Sequence, residues 1–122
     1  MKTKVLKIGI ASREDMKART LATARGELKP HADDPKVWFS SLESLAQVMS
    51  TKNQLLLEII RRAKPASLKE LAQISERKES NLSRTLHTME RYGLVELQKS
   101  ATGTLVPSVP YERYQIEYSL AE

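Results

Sequence analysis

At 122 residues the chain has room for one domain with a modest core, and 40% hydrophobic against 29% charged residues fits a folded globular chain and excludes wholesale disorder. Twenty Lys and Arg against 15 Asp and Glu leave a net charge of +5, which points to a polyanionic partner. The absence of cysteine excludes a disulfide framework, a zinc ribbon and a cysteine nucleophile.

The N-terminal Lys2, Lys4 and Lys7 precede an apolar run too short for a signal peptide, and no apolar run reaches membrane-spanning length. The cytoplasm is therefore the expected compartment. Leu6, Ile8 and Ile10 alternate with Lys7 and Gly9, the pattern of a half-buried strand. Ser12 with Asp15 three residues on predicts a helix start, and Gly26 predicts its stop. Met16, Leu21, Ala22 and Ala24 give that helix only a thin apolar stripe, so it should pack loosely or against a partner. Leu28 to Lys36, with Pro30 and Pro35, reads as a loop, and its His31 has no second ligand at metal-binding spacing. Trp38 and Phe39 are expected to seal the core.

Two capped helices follow. Ser40-Ser41-Leu42-Glu43 opens the first, with Leu42, Leu45, Val48 and Met49 apolar. Thr51 and Gln54 form a box that opens the second. Leu55, Leu56, Leu57, Ile59, Ile60 and Ala63 make the second apolar over most of its surface, as expected of a central helix buried on more than one side. Arg61, Arg62 and Lys64 at its end complement the helix dipole and can approach phosphate.

The stretch Ser67 to Thr104 carries the functional signal. Ser67 and Glu70 form a capping box, and Leu68, Leu71, Ala72 and Ile74 form an apolar stripe. Ser75-Glu76-Arg77-Lys78 is the turn, without the glycine often found there. A longer helix then runs from Lys78 or Glu79, with Leu82, Leu86 and Met89 facing inward. Gly93 should close it in a left-handed conformation, with Leu94 returning to Met89. Val95-Glu96-Leu97 and Thr104-Leu105-Val106 bracket Lys99–Gly103 as a hairpin with a polar tip. This order predicts a mainly α fold with a small β-sheet, a winged helix-turn-helix, over a single domain 1–122. Residues 1–37 form an N-terminal strand-helix extension and loop, 38–107 the core, and 108–122 a C-terminal strand.

A base-reading helix needs one face anchored in the core and an opposite face that is short, polar and basic. Arg pairs bidentately with guanine and Asn with adenine, while Ser and Thr reach bases or phosphates. Ser80, Asn81, Ser83, Arg84, Thr85 and His87 supply that chemistry on the longer helix. Lys69, Arg77 and Lys78 precede it, and Lys99 and Thr102 sit in the wing. These eleven residues are the expected DNA contacts. A solvated amphipathic helix in a small α-rich domain would show a similar face. The two helices followed by a wing tilt the reading towards nucleic acid.

After the wing, Pro107 and Pro110 should interrupt regular pairing. Tyr114, Ile116, Tyr118 and Leu120 then alternate with polar residues as a strand. This strand and the N-terminal one can pair with each other, with the wing, or across a dimer. A two-fold dimer with terminal segments crossing the axis is the expectation, the alternative being a sheet completed within one monomer.

With those residues in view, the chain resembles the small prokaryotic winged helix-turn-helix proteins classed as predicted transcriptional regulators, broadly of MarR and ArsR type, some of them antitoxin-like. KESNLSRTLHTMERYGLVEL (Lys78–Leu97) is similar to their recognition helix running into the wing. The segment from Trp38 is similar to their paired preceding helices, and PYERYQIEYSL (Pro110–Leu120) to a C-terminal strand of that group. The resemblance implies a homodimeric regulator of double-stranded operator DNA, with a toxin as a candidate protein partner. The cysteine cluster of metal-sensing ArsR relatives is missing, as are the long flanking dimerisation helices of MarR proteins.

The rival reading is a winged-helix module that binds protein, such as an antitoxin or assembly subunit, though protein-binding patches favour aromatics and Met over this polar face. An enzyme is not expected. The two histidines lie far apart without a carboxylate or nucleophile arranged beside them, and no phosphate-cradling glycine motif occurs. No cofactor, metal or catalytic residue is expected.

Overall fold

The structure is a computed structural model that describes residues 4–120; Lys2 of the N-terminal lysine group lies outside the described residues. The elements in order are β1 (Val5–Ile10), α1 (Arg13–Ala24), β2 (Val37–Phe39), α2 (Leu42–Val48), α3 (Thr51–Ala63), α4 (Leu68–Ser75), α5 (Glu79–Arg91), β3 (Glu96–Lys99), β4 (Leu105–Ser108) and β5 (Arg113–Glu117). Five helices with little sheet make the protein mainly α, as the residue pattern predicts. No helix among the described residues is long and apolar enough to cross a membrane. The chain forms two compact units, Val48–Glu112 and the segments on either side of it.

The flanking segments build a three-stranded sheet in the order β2-β1-β5 with both pairings parallel. Parallel neighbours need a crossover connection, and α1 supplies it between β1 and β2. Leu6, Ile8 and Phe39, aligned on one face by the registers Leu6↔Tyr114, Ile8↔Ile116 and Ile10↔Phe39, are buried. On the other face Gly9 lies beside Trp38, whose ring would sit 2.5 Å from a Cβ at that position. Arg19 of α1 stacks on Trp38 at 5.2 Å and pairs with Asp34 at 3.3 Å. The His31 backbone N–H donates to the same Asp34 carboxylate, and this bond, with Arg19 beside it, holds the acid below the usual carboxylate range. Ser12 caps α1 by accepting from the Asp15 N–H, yet no residue of α1 is buried, which fits its thin stripe.

Four expectations change here. The two terminal strands pair with each other within one chain, so their apolar residues do not demand exchange across a two-fold axis. The C-terminal strand ends at Glu117, leaving Tyr118 and Leu120 outside it and exposed. Trp38 and Phe39 belong to a strand, β2, and it is Phe39 that is fully enclosed while Trp38 is half-buried. Pro107 stands inside β4 opposite Leu97; a two-stranded ribbon has an unpaired side where the missing N–H costs nothing.

The second unit is the helical core with its hairpin. α3 begins one residue earlier than the Thr51 box implies. Ser50 is the cap, accepting from the Asn53 N–H, and the Gln54 side chain donates to the Met49 carbonyl. Only one side of α3 is buried, through Leu56, Leu57 and Ile60, whereas Leu55 is 55% exposed. Its apolar surplus is therefore on the surface. Arg61 pairs with Glu112 and Arg62 with Glu58, so two of the three cations expected near phosphate, all but Lys64, have acidic partners. α4 is capped by Ser67, while Glu70 reaches back to the Ala66 N–H rather than to Ser67. Leu68 and Leu71 are buried, but Ile74 is 44% exposed. Six residues at 100° each carry Ile74 well round from Leu68, and Ser75, seven residues on, takes the inward position instead.

α5 ends as a Schellman motif: Gly93 has φ +75, its N–H donates to Glu90, and the Leu94 N–H donates to Met89. Leu82, Leu86, Met89, Leu94 and Val95 are all essentially without solvent contact. The hairpin runs from Glu96↔Ser108 to Lys99↔Leu105. Each of its strands begins one residue later than the expected Val95–Leu97 and Thr104–Val106 and ends two residues later, so Lys99 closes the first strand rather than opening the tip.

Candidate nucleic-acid interface

The turn between α4 and α5 lacks glycine because Glu76 itself takes the left-handed conformation, φ 58 and ψ 34, and its N–H closes α4 on Ala72. Arg77 follows with its side chain turned back into the unit. Its Nη1 donates to Asn53 Oδ1 of α3 at 3.2 Å and its Nη2 approaches Thr85 Oγ1 of α5 at 3.5 Å. Asn53 is fixed in turn by donating to the Val48 carbonyl at 2.9 Å. Arg77 thus ties three consecutive helical segments together. Thr85 is half-buried by the same arrangement.

α5 emerges from that turn with Lys78 as its cap residue, which makes no side-chain capping bond. Leu82, Leu86 and Met89 anchor the inner face, and Ser80, Asn81, Arg84, His87 and Arg91 are exposed on the other side. Ser80, Arg84, His87 and Arg91 lie four, three and four residues apart, so they form one stripe along the helix. His87 is not freely turning: its Nδ1 lies 2.6 Å from the Ser83 carbonyl. A carbonyl can only accept, so Nδ1 is the donor in this contact and Nε2 is left facing outward. Ser83 is half-buried beside it. Arg84 makes no ion pair among the described residues and stands exposed at mid-helix.

The wing supplies a second polar surface. The Ser100 N–H donates to Thr104 and the Gly103 N–H, at φ +83, to Ser100, closing the tip. Thr102 lies between the Ser100 and Thr104 hydroxyls, at 2.9 and 3.3 Å. Lys99 is exposed. Lys69, at the start of α4, lines one depression together with Glu79 and Thr104, which sets it beside the wing.

The expected contacts therefore fall into two groups. Ser80, Asn81, Arg84 and His87 on the helix, with Lys78 before it and Lys69, Lys99 and Thr102 beside the wing, are presented to solvent. Arg77 and Thr85 are engaged internally, and Ser83 is partly so. Asn53, which residue pattern reads only as part of a helix start, is the hidden member of this arrangement; an Asn in the first turn of a helix is its one sequence signal. A groove of about 570 Å³ also opens between α3 and the turn, lined by Lys52, Leu55, Ile59, Lys78 and Asn81 among others.

Among solved structures, the chain is similar to a crystal structure described as the predicted DNA-binding transcriptional regulator from E. coli, at 24% identity and a TM-score of 0.49, covering 78% of this chain and 84% of that one. No curated protein matches the sequence. Residues 48–116, which hold α3, the helix-turn-helix and the wing, match the model of the family HVO_A0114. The chain belongs to the HVO_A0114 family.

Proposed function

We propose that the protein is a sequence-specific DNA-binding transcriptional regulator, non-catalytic and cytoplasmic, that reads operator DNA as a homodimer. The helix at 78–92 enters the major groove and the wing lies against the adjacent backbone. One observation carries this reading. α5 is locked on its inner face by three fully buried side chains while its outer face offers Ser80, Asn81, Arg84 and His87. A rigid helix with donors and acceptors of that kind is what direct readout of base edges requires. Dimerisation follows from the limit of one helix, which reads too few base pairs to select an operator among competing sites. The resemblance of Lys78–Leu97 to the recognition helix and wing of MarR- and ArsR-type regulators supports this reading.

Arg84→Ala tests the reading. Loss of a base contact should weaken a specific duplex by about 1–3 kcal/mol with folding unchanged, because the side chain is exposed. Wild-type affinity in the variant would remove Arg84 from the interface. A second reading is favoured by the groove beside Leu55: an apolar floor rimmed by Lys52 and Lys78 suits an acidic protein partner such as a toxin. The salt dependence of duplex binding separates the two, since a phosphate binder weakens steeply as salt rises.

A further inference from the structure

The three-stranded sheet has two edges, and only one is guarded. β2 is three residues long and follows Pro35 and Lys36, both of which discourage a further strand. β5 is RYQIE, without proline, lysine, glycine or bulge. All five of its residues pair with β1 on one side, from Val5↔Arg113 to Gly9↔Glu117, and among the described residues no further strand lies on its other side. Arg113, Gln115, Ile116 and Glu117 are exposed, Ile116 by 50%. Arg113 and Glu117 have no ion-pair partner among the described residues.

We propose that β5 is the surface through which two copies of this chain associate, pairing antiparallel about a two-fold axis at Gln115. The proposal rests on the dimeric reading above and names its interface. In an antiparallel ladder, residues directly opposite share a face, so each strand position must meet one of its own parity. A two-fold axis at Gln115 sets Arg113 opposite Glu117 of the second copy, and Glu117 opposite its Arg113. The same axis sets Tyr114 opposite Ile116 and Ile116 opposite Tyr114. Opposite charges and an aromatic against a β-branched residue are the stabilising cross-strand pairs, and this register makes each of them twice.

The neighbouring registers lose this match. An axis at Ile116 sets Gln115 against Glu117 and Arg113 against Ser119. An axis at Tyr114 brings Ile116 opposite Glu112 and separates Arg113 from Glu117. Pairing through Gln115 also covers the exposed side of Ile116, which shares its sheet face with the buried Leu6 and Ile8. The product is one continuous six-stranded sheet, parallel within each copy and antiparallel at the junction.

Charge reversal on the full chain tests the surface, and a cysteine scan tests the register. In sedimentation equilibrium the wild type should dimerise. Glu117→Arg or Arg113→Glu should each raise the dimer dissociation constant at least about tenfold, because either change turns both symmetric attractions into repulsions. The double variant Arg113→Glu/Glu117→Arg should restore it. The chain has no native cysteine. Gln115→Cys should therefore cross-link to itself under mild oxidation, as opposed strand positions on the axis lie within disulfide reach, while Ile116→Cys should not. A dimer indifferent to both single reversals overturns the β5 surface and leaves the dimeric and DNA-binding readings standing. Cross-linking through Ile116→Cys but not Gln115→Cys overturns the register. A wild type monomeric at tens of micromolar overturns this interface and the dimeric reading together, whereas failure to bind duplex in a cross-linked dimer would count against the DNA reading alone.

Discussion

The residue pattern puts Arg77 at the DNA surface, whereas in the structure its guanidinium is engaged within the helical unit. Its guanidinium reaches Asn53 at 3.2 Å and Thr85 at 3.5 Å from a half-buried position. A hydrogen bond from a charged donor contributes about 1.5–3 kcal/mol when well made and sheltered. The contact to Asn53 qualifies; the one to Thr85 lies at the limit of bonding distance and adds little. Partial exposure lowers the sum, so Arg77→Ala should cost about 1–2 kcal/mol of folding stability. With a urea slope of about 2 kcal/mol per molar, the unfolding midpoint should fall by about 0.5–1 M. Arg77→Lys keeps the charge that a phosphate contact would use but cannot fork between two acceptors, so it should lose nearly as much stability. Arg77→Ala and Asn53→Ala should be non-additive by about 0.5–1.5 kcal/mol, since each removes the same bond. A wild-type midpoint for Arg77→Ala combined with loss of duplex affinity would refute the tie and return Arg77 to the interface.

Further substitutions test other parts of the framework. Ser75 Oγ is buried without a hydrogen-bond partner, so Ser75→Ala should raise the urea midpoint, stabilising by about 1 kcal/mol. Glu76 holds φ 58 at the end of α4, and Glu76→Gly should remove that strain and stabilise by about 0.5–1 kcal/mol despite the freer unfolded chain, read by thermal unfolding. Gly9→Ala should destabilise by about 1–3 kcal/mol, because the new methyl would meet the Trp38 ring at 2.5 Å and Pro35 at 2.9 Å; tryptophan fluorescence reports both the shift and the loss.

The helical half of the fold was legible because its signals are local. Ser67, Gly93 and the Leu82/Leu86/Met89 spacing each act within a few residues of themselves, and each sits in the structure where its chemistry demands. Where local signals were ambiguous, the outcome turned on neighbours. Ser50 and Thr51 are both competent caps, and Ser50 is used. Leu55 and Ile74 are apolar but lie off the buried side of their helices. The sheet was less legible for a different reason. Period-2 alternation tells which residues share a face and says nothing of which strand lies beside them. β1 and β5 stand at opposite ends of the chain and meet in parallel, a pairing that leaves no turn residue to mark it. β2, only three residues long, is below the length at which alternation can be recognised at all.

The outer face of α5 was legible for the converse reason. A helix anchored by Leu82, Leu86 and Met89 must expose the residues opposite them, so Ser80, Asn81, Arg84 and His87 follow from spacing alone. Spacing cannot say what a long side chain does once it leaves the backbone. Arg77 and Arg84 are the same residue type seven positions apart, yet one folds back onto Asn53 and the other extends into solvent. The difference arises from the turn. Glu76 in the left-handed region reverses the chain so that Arg77 begins its path facing α3, where Asn53 already waits, held by the Val48 carbonyl. A basic residue in the turn of a helix-turn-helix can therefore set the angle between the helices, and the helix behind it must be read before that residue is counted among the contacts to DNA.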